Sequence, residues 1–404
     1  MGVENNIPED WVETTLGDIS SRKQYGYTES ASNEKVGPKF LRITDIQNDF
    51  ISWNNVPYCP ISDEDFTKYK LQVGDVVIAR TGNSTGATAT IKEKINAVFA
   101  SYLIRFQINK QIADYNFIDF LVRSKLWYGF VKSVKSGSAQ GGANANDFAL
   151  FPINLPPLLE QKAIAKVLTA FDDKIELLQA QNKTLETILK VKYAEEFIVG
   201  SCIDWPKVKI GDYVKTNSIS INKNYSHDTI LYMDTGSLTK GVAESLQELK
   251  LSEAPSRAKR LVKHNDILIS TVRPNQKHFG LIKYPISNLV VSTGFCVISC
   301  EKIDPHFLYH VLTSNDMTEY LHSVAEGSTT TYPSIKPIDV ESVEFLLPPN
   351  NRLEKFSKTA AIFWDKIHTN QKQVKALTKT RDTILPKLMS GQVRVNNLKQ
   401  TADA

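Results

Sequence analysis

Apolar residues recur along this 404-residue chain in two regimes, and each regime occurs twice. Short β-branched runs come first. Asp75-Val-Val-Ile-Ala79 and Asp266-Ile-Leu-Ile-Ser270 predict buried strands. The run from Leu289 to Ile298, although it contains Ser292, Thr293 and Gly294, reads as one more buried strand. Helical stretches are expected near Phe117 to Lys132 and Pro305 to Val324. A small-residue loop and a final strand follow in each half, ending at Leu155-Pro156-Pro157 and Leu347-Pro348-Pro349. Paired prolines stop a strand and can open a helix.

Beyond each proline pair the period changes to 3.5. The first stripe is Ile164, Leu168, Phe171, Ile175, Leu178, Asn182, Leu185 and Leu189. The second is Phe356, Ala360, Phe363, Ile367, Asn370, Val374, Leu377, Arg381, Ile384 and Leu388. Spacings of four and three alternate without a slip, which marks coiled-coil seams. At ~1.5 Å per residue, roughly 40 residues make a rod of about 60 Å. Each seam carries one asparagine, Asn182 or Asn370, either fixing register at a cost in stability or lying at the seam's edge.

The two regimes repeat because the chain is written twice. Trp11 to Asp18 resembles Trp205 to Asp212, Gly74-Asp75 matches Asn265-Asp266, and Gly137-Ser138 matches Gly327-Ser328. Asp173-Lys-Ile175 matches Asp365-Lys-Ile367. All matches keep the same order at nearly the same offset. The expected fold is mixed α/β: a tandem pseudo-repeat of two globular domains joined by two long helices in an antiparallel coiled coil. The expected boundaries are 1–157 and 201–349 for the globular parts, 158–200 and 350–396 for the helices, and 397–404 for a flexible tail.

Composition changes this picture little. Apolar residues at 42% and charged residues at 23% describe an ordinary globular protein and exclude a disordered or disulfide-stapled chain. No run of 18 apolar residues suggests a membrane span. The polar, acidic start argues against a secretory signal, and Asn6 against myristoylation at Gly2. Cys59, Cys202, Cys296 and Cys300 form no Cys-x-x-Cys pair and read as core thiols in a reducing cytoplasm.

Charge distribution changes it more. The net charge of +4 averages a −7 segment over the first 66 residues with basic segments elsewhere. Lys250 to Lys283 carries +6, the corresponding Lys68 to Lys94 carries +3, and the second long helix carries +6 against −1 for the first. Basic clusters at matching places of a repeat are the footprint of phosphate binding, although a solvated face gives the same pattern. Arginine and lysine pair with guanine, asparagine and glutamine with adenine. Arg80, Asn83, Lys92, Lys259, Arg260, Arg273, Asn275, Gln276 and Lys277 are therefore the candidate DNA contacts. Gln140 in the Gly137–Asn146 loop and Thr330 and Tyr332 in its counterpart complete the set. A plain connector would have the same small residues.

Catalytic signals are missing. Gly82-Asn-Ser-Thr-Gly86 lacks the lysine of a phosphate-binding loop, and the Leu-Pro-Pro motifs lack the flanking residues of an amino-methyltransferase signature. His306-Phe-Leu-Tyr-His310 lacks the glutamate of a zinc site. No metal or catalytic residue is assigned.

Leu155-Pro156-Pro157-Leu-Leu-Glu160-Gln161 running into a long helix resembles the central conserved region of type I restriction-modification specificity subunits. Thr383-Ile-Leu-Pro386-Lys387-Leu388-Met389-Ser390-Gly391-Gln392-Val-Arg394-Val resembles that family's distal end. The resemblance departs at Asn350-Asn351-Arg352-Leu353-Glu354, where the second copy lacks the Glu-Gln pair. It implies a noncatalytic cytoplasmic subunit of a phage-defence system, with one target-recognition domain per copy. The duplex target would be bipartite and asymmetric. Two methyltransferase subunits would dock along the helices and motor-nuclease subunits would join them, with no membrane involved. S-adenosylmethionine, ATP and magnesium would reside on those partners, none on this chain. Glu160, Gln161, Phe171, Ile175, Asn182, Phe363, Ile367 and Asn370 are the expected docking and spacer residues. Duplex faces recur about every 34 Å, so a ~60 Å rod suits a gap of one or two turns. The rival readings are a coiled-coil scaffold with protein-binding heads and a nuclease with an unrecognised carboxylate site.

Overall fold

The structure is a computed structural model, which describes residues 7–47, 50–136, 142–201, 204–243, 246–327 and 333–395. It divides into two compact units, Met1–Ile175 with Lys375–Ala404, and Glu176–Val374. Both divisions fall inside long helices, so each unit holds a globular part together with the helix ends packed on it. Ile164, Leu168, Leu388 and Met389 lie in the first unit's core, and Leu189, Phe356, Ala360, Trp364 and Ile367 in the second's. Helix faces become core here because neither sheet can bury its own apolar side alone. The expected tail lies outside the described residues.

The globular part of each unit opens with a strand paired antiparallel to the strand before the proline pair. In the first unit Val12–Thr15 pairs with Pro152–Leu155, and in the second Lys207–Lys209 pairs with Glu344–Leu346. The main antiparallel sheet of the first unit runs Ser20–Tyr25, Leu103–Ile108, Asp75–Ala79, Thr88–Thr90. Its counterpart runs Val214–Thr216, Phe295–Cys300, Ile267–Ser270, Phe279–Leu281. A second sheet in each unit is built on a parallel pair, Lys39–Leu41 with Ala97–Phe99 and Thr229–Met233 with Leu289–Ser292.

Three predicted elements differ from those found. The run from Leu289 to Ile298 is two strands in two sheets, because the Ser292 hydroxyl accepts the Gly294 N–H (3.1 Å) and turns the chain. Each predicted mid-domain helix is also two helices, Tyr115–Leu121 with Lys125–Ser136 and Pro305–Thr313 with Asn315–Glu326. Ser124 and Ser314 accept N–H groups of the following turn (3.4 and 3.2 Å), which restarts the helix.

The long helices span Leu158–Tyr193, continued as a π-turn to Val199, and Asn350–Met389. Pro157 donates no N–H, and its carbonyl receives the N–H groups of Glu160 (2.8 Å) and Gln161 (3.0 Å), starting the first helix. Every position of both predicted stripes is buried or half-buried. Within the first unit Arg381 pairs with Asp172 (2.7 Å) and Arg394 with Glu160 (2.6 Å), so numbers rise on one segment as they fall on the other. Within the second unit Asn370 Nδ2 donates to Asn182 Oδ1 (2.8 Å), and Arg352 Nη1 to the Gly200 carbonyl (2.7 Å), again antiparallel. Cys59 and Cys296 are buried free thiols, pushed up by burial to about 11 and about 12.

Candidate nucleic-acid interface

The best-matched part of the repeat is the central hairpin of the main sheet. Val76 stands opposite Thr90, and Ile267 opposite Leu281, an offset of 191 on both strands. A buried aspartate opens this strand in the first unit and immediately precedes it in the second. Asp75 Oδ2 accepts the Gln72 N–H (2.9 Å), and Asp266 Oδ2 accepts the Lys263 N–H (2.7 Å). Burial pushes both carboxyls above the usual range, partly offset by those N–H groups.

At the other end of the strand the chain emerges into a loop held by two distant segments. In the first unit the Arg80 N–H donates to the Tyr102 carbonyl (3.1 Å), and the Arg80 carbonyl accepts from Ala143 N–H (3.2 Å). The Arg80 guanidinium lies 4.9 Å from the centroid of the Tyr25 ring, and the Tyr25 hydroxyl accepts the Ala145 N–H (3.1 Å). In the second unit Thr271 N–H donates to the Gly294 carbonyl, and its own carbonyl accepts from Ile335 N–H (both 2.8 Å). The ladder is the same, but its residues differ: Thr271 stands where Arg80 does.

Around these ladders the predicted contacts sort into groups. Arg80 and the exposed Asn83 share the first unit's loop. Arg273, Asn275, Gln276 and Lys277 share the tight turn around Pro274–Gln276 in the second. There Lys277 Nζ donates to Asn315 Oδ1 (2.9 Å), and the His278 ring meets Gln276 Oε1 (3.2 Å). Three residues stand apart. Lys92 pairs with Asp119 (2.9 Å) beyond the hairpin. Lys259 and Arg260 lie on strand Ala258–Leu261 of the other sheet, with Arg260 held by Ser220 Oγ (3.3 Å). Gln140, Thr330 and Tyr332 fall outside the described residues. Sequence reasoning missed Tyr25 and Tyr102. Tyr102 is 60% exposed in a turn between two buried strands, a setting that the run of apolar residues around it does signal.

The eight expected docking and spacer residues turn inward. The Glu160 carboxylate accepts from Arg394 (2.6 and 2.7 Å) and from Trp11 Nε1 (3.2 Å), while Arg394 also grips Asp10. Gln161 is fully buried; its Oε1 accepts the Asp114 N–H (2.8 Å) and its Nε2 donates to the Pro156 carbonyl (2.8 Å). Asn182, Asn370 and Ile367 are buried, and Phe171, Ile175 and Phe363 half-buried. Glu160 and Gln161 are thus bonded inside this chain, and Asn182 and Asn370 meet each other across the seam. The apolar side chains exposed on the helices are Leu159, Leu177, Ile188, Val191 and Ile362.

The histidine pair has a structural setting. His310 stacks on Tyr193 with centroids 5.2 Å apart, and His306 meets Asp304 (3.3 Å). Among the described residues no group of three or more His, Cys, Asp or Glu could hold a metal ion. No helix among them is long and apolar enough to cross a membrane.

Residues 8–187 match the family model of the type I restriction modification DNA specificity domain. The MjaIX specificity subunit of a type I restriction enzyme from Methanocaldococcus jannaschii is 26% identical over 70% of each chain. The MjaVIII specificity subunit from the same organism is 23% identical over 97% of this chain and 95% of its own. The crystal structure of a type I restriction-modification S subunit from M. genitalium shares the fold, with a TM-score of 0.61 at 15% identity over 96% of this chain and 98% of that one. With a loop ladder built twice, this chain is similar along nearly its whole length to specificity subunits of type I restriction enzymes, and residues 8–187 match the DNA specificity domain of that family.

Proposed function

We propose that this chain reads a bipartite, asymmetric site on double-stranded DNA, one half-site per unit. The observation that carries this is the loop ladder at repeat-equivalent places, identical in backbone pairing and different in side chains. Arg80 and Asn83 would face one half-site, and Arg273, Asn275, Gln276 and Lys277 the other. The chain itself is noncatalytic and works in the cytoplasm. Two methyltransferase subunits dock on its helices and motor-nuclease subunits join them. S-adenosylmethionine, ATP and magnesium belong to those partners, and the methyltransferase flips the target base. In this reading the helices set the gap between half-sites, and the paired asparagines fix their register.

The test inserts a matched heptad into both long helices and maps methylated sites in cells that also carry the methyltransferase. The expected result is a longer gap between two unchanged half-sites. An unchanged gap would sink the spacer role, and a changed half-site would sink the assignment of reading to the globular units.

A further inference from the structure

The loops of the two central hairpins place their cations differently. In the first unit, residues 80–86 carry a single cation, Arg80, at the foot of the loop. The chain then turns on Gly82 and Gly86, both left-handed with φ of +69° and +91°. In the second unit these places are held by Arg273 and Lys277, with φ of +49° and +58°, each 191 residues further on. Thr271, in the place of Arg80, turns its hydroxyl back onto the Gly294 carbonyl (2.9 Å).

Arg80 is held in place without using its hydrogen-bonding edge. Its N–H and carbonyl are both taken by the ladder, by Tyr102 and Ala143. Its guanidinium lies over the Tyr25 ring, 4.9 Å from the centroid. Tyr25 stands opposite Ile104 in the main sheet, and its hydroxyl accepts the Ala145 N–H (3.1 Å), so the ring is tied at both ends. A stacked guanidinium spends its flat face and keeps its N–H donors, which lie in the plane around its rim. Among the described residues no acceptor takes a hydrogen bond from that rim and no carboxylate pairs with it. Arg105 of the same sheet is the contrast. Its guanidinium lies over the Phe99 ring and also donates to the Lys70 carbonyl (2.7 Å), to Asp75 (3.5 Å) and to Gln24. A phosphate is satisfied by a point charge, whereas a base edge must be met by donors held at a set angle. A guanidinium fixed by its face, with its fork unused, has the second character. Its ordering cost is already met before a ligand arrives.

We propose that Arg80 is a specificity-determining residue of the first unit, donating two N–H groups to O6 and N7 of one guanine in that unit's half-site, and that Tyr25 is its positioning residue. This rests on the DNA-reading function proposed above.

The test uses the full-length chain and its Arg80→Gln, Tyr25→Leu and Tyr25→Phe variants, each selecting duplexes from a randomised library. R80Q should lose roughly 5- to 150-fold preference at one guanine and leave the other half-site intact. Y25L should lose roughly two- to fivefold of the same preference, the share that the stacked ring contributes. Y25F keeps the ring and should keep the preference. An R80Q protein that selects the unchanged motif with uniformly weaker binding would make Arg80 a phosphate contact and overturn the proposal. A Y25L protein with the guanine preference intact, or a Y25F protein that loses as much of it as Y25L, would overturn the positioning role of the Tyr25 ring. A wild-type chain that selects no sequence would overturn the DNA-reading function itself.

Discussion

The two hairpin loops share a backbone and have opposite distributions of charge. In the first unit the loop is glycine-rich, and the helix beside it, Lys125–Ser136, carries Lys125, Lys132 and Lys135. In the second unit the loop carries Arg273 and Lys277, and the matching helix, Asn315–Glu326, carries Asp316, Glu319 and Glu326. What is kept is the ladder of N–H and C=O pairs and the buried strand beneath it. What is free to change is the side chain at each exposed step. A repeat that changed its backbone would have to rebuild its core. One that changes only the loop's side chains obtains a second specificity without disturbing packing. In the proposed reading, that division would let one architecture serve two unlike half-sites.

The comparison breaks most sharply at its two glycines. Gly86→Lys copies the second unit's residue into the first, but its Cβ lands within 2.5–2.8 Å of both Val131 methyl carbons, on backbone at φ +91°. Overpacking and left-handed strain together should cost roughly 2–5 kcal/mol. Gly82→Arg makes the same kind of exchange into open space and should cost only roughly 1–2 kcal/mol. Urea unfolding of both variants measures the difference. Equal losses would show that the loops are not separated by packing against the neighbouring helix.

A second asymmetry is titratable. Phe307 and Phe117 occupy matching buried positions, but three residues on the second unit has His310 where the first has Phe120. Burial, aided by Lys190 and His306 and opposed by Asp304, pulls His310 down to about 4. Unfolded, the same imidazole titrates near its ordinary 6.5. The depressed value means that the stability tied to neutral His310 is complete above pH 6.5 and is lost as pH falls through 4. The loss approaches about 3 kcal/mol. Acid should therefore loosen the second unit first, as hydrogen exchange would register. His310→Phe, which copies the first unit, should flatten the pH dependence of urea unfolding between 7 and 4. An equally steep profile in that variant would place the acid sensitivity elsewhere.

How much of this was legible in the sequence follows physical lines. The repeat, the buried strands and both heptad stripes were readable because burial imposes a period, and the period survives in the letters. The break of Leu289 to Ile298 into two strands was not, since Ser292 and Gly294 act through one local hydrogen bond inside an apolar run. Arg273 was legible as a cation after a strand. Its match to Gly82 was not, because the two residues share backbone geometry and no chemistry. Tyr25 was invisible because its place beside Arg80 comes from a strand 55 residues away. Glu160 and Gln161 were legible as a motif, but their partners Arg394 and Asp114 come from distant segments, so the sequence alone could not tell inward from outward.

The helix seams offer the finest contrast between the units. In the first, the polar contact is an ion pair, Arg381 with Asp172, with both side chains about a quarter exposed. In the second it is the neutral pair Asn182 and Asn370, the latter fully buried, and Asn370 Oδ1 has no partner. A partly exposed ion pair tolerates sliding because water can substitute for either partner, whereas a buried amide left alone loses its hydrogen bond without replacement. Asn182→Leu or Asn370→Leu alone should therefore cost about 1–3 kcal/mol. The double variant should recover most of that and can exceed the wild type, since it removes both buried amides together. Stability alone would then make the pair look dispensable, so the decisive measurement is register. Disulfide trapping between cysteines placed at matched positions on the two helices within the second unit should give one product in the wild type. In the double leucine variant it should give products shifted by a heptad. A single product in both would show that the apolar seam fixes the register and the asparagines do not.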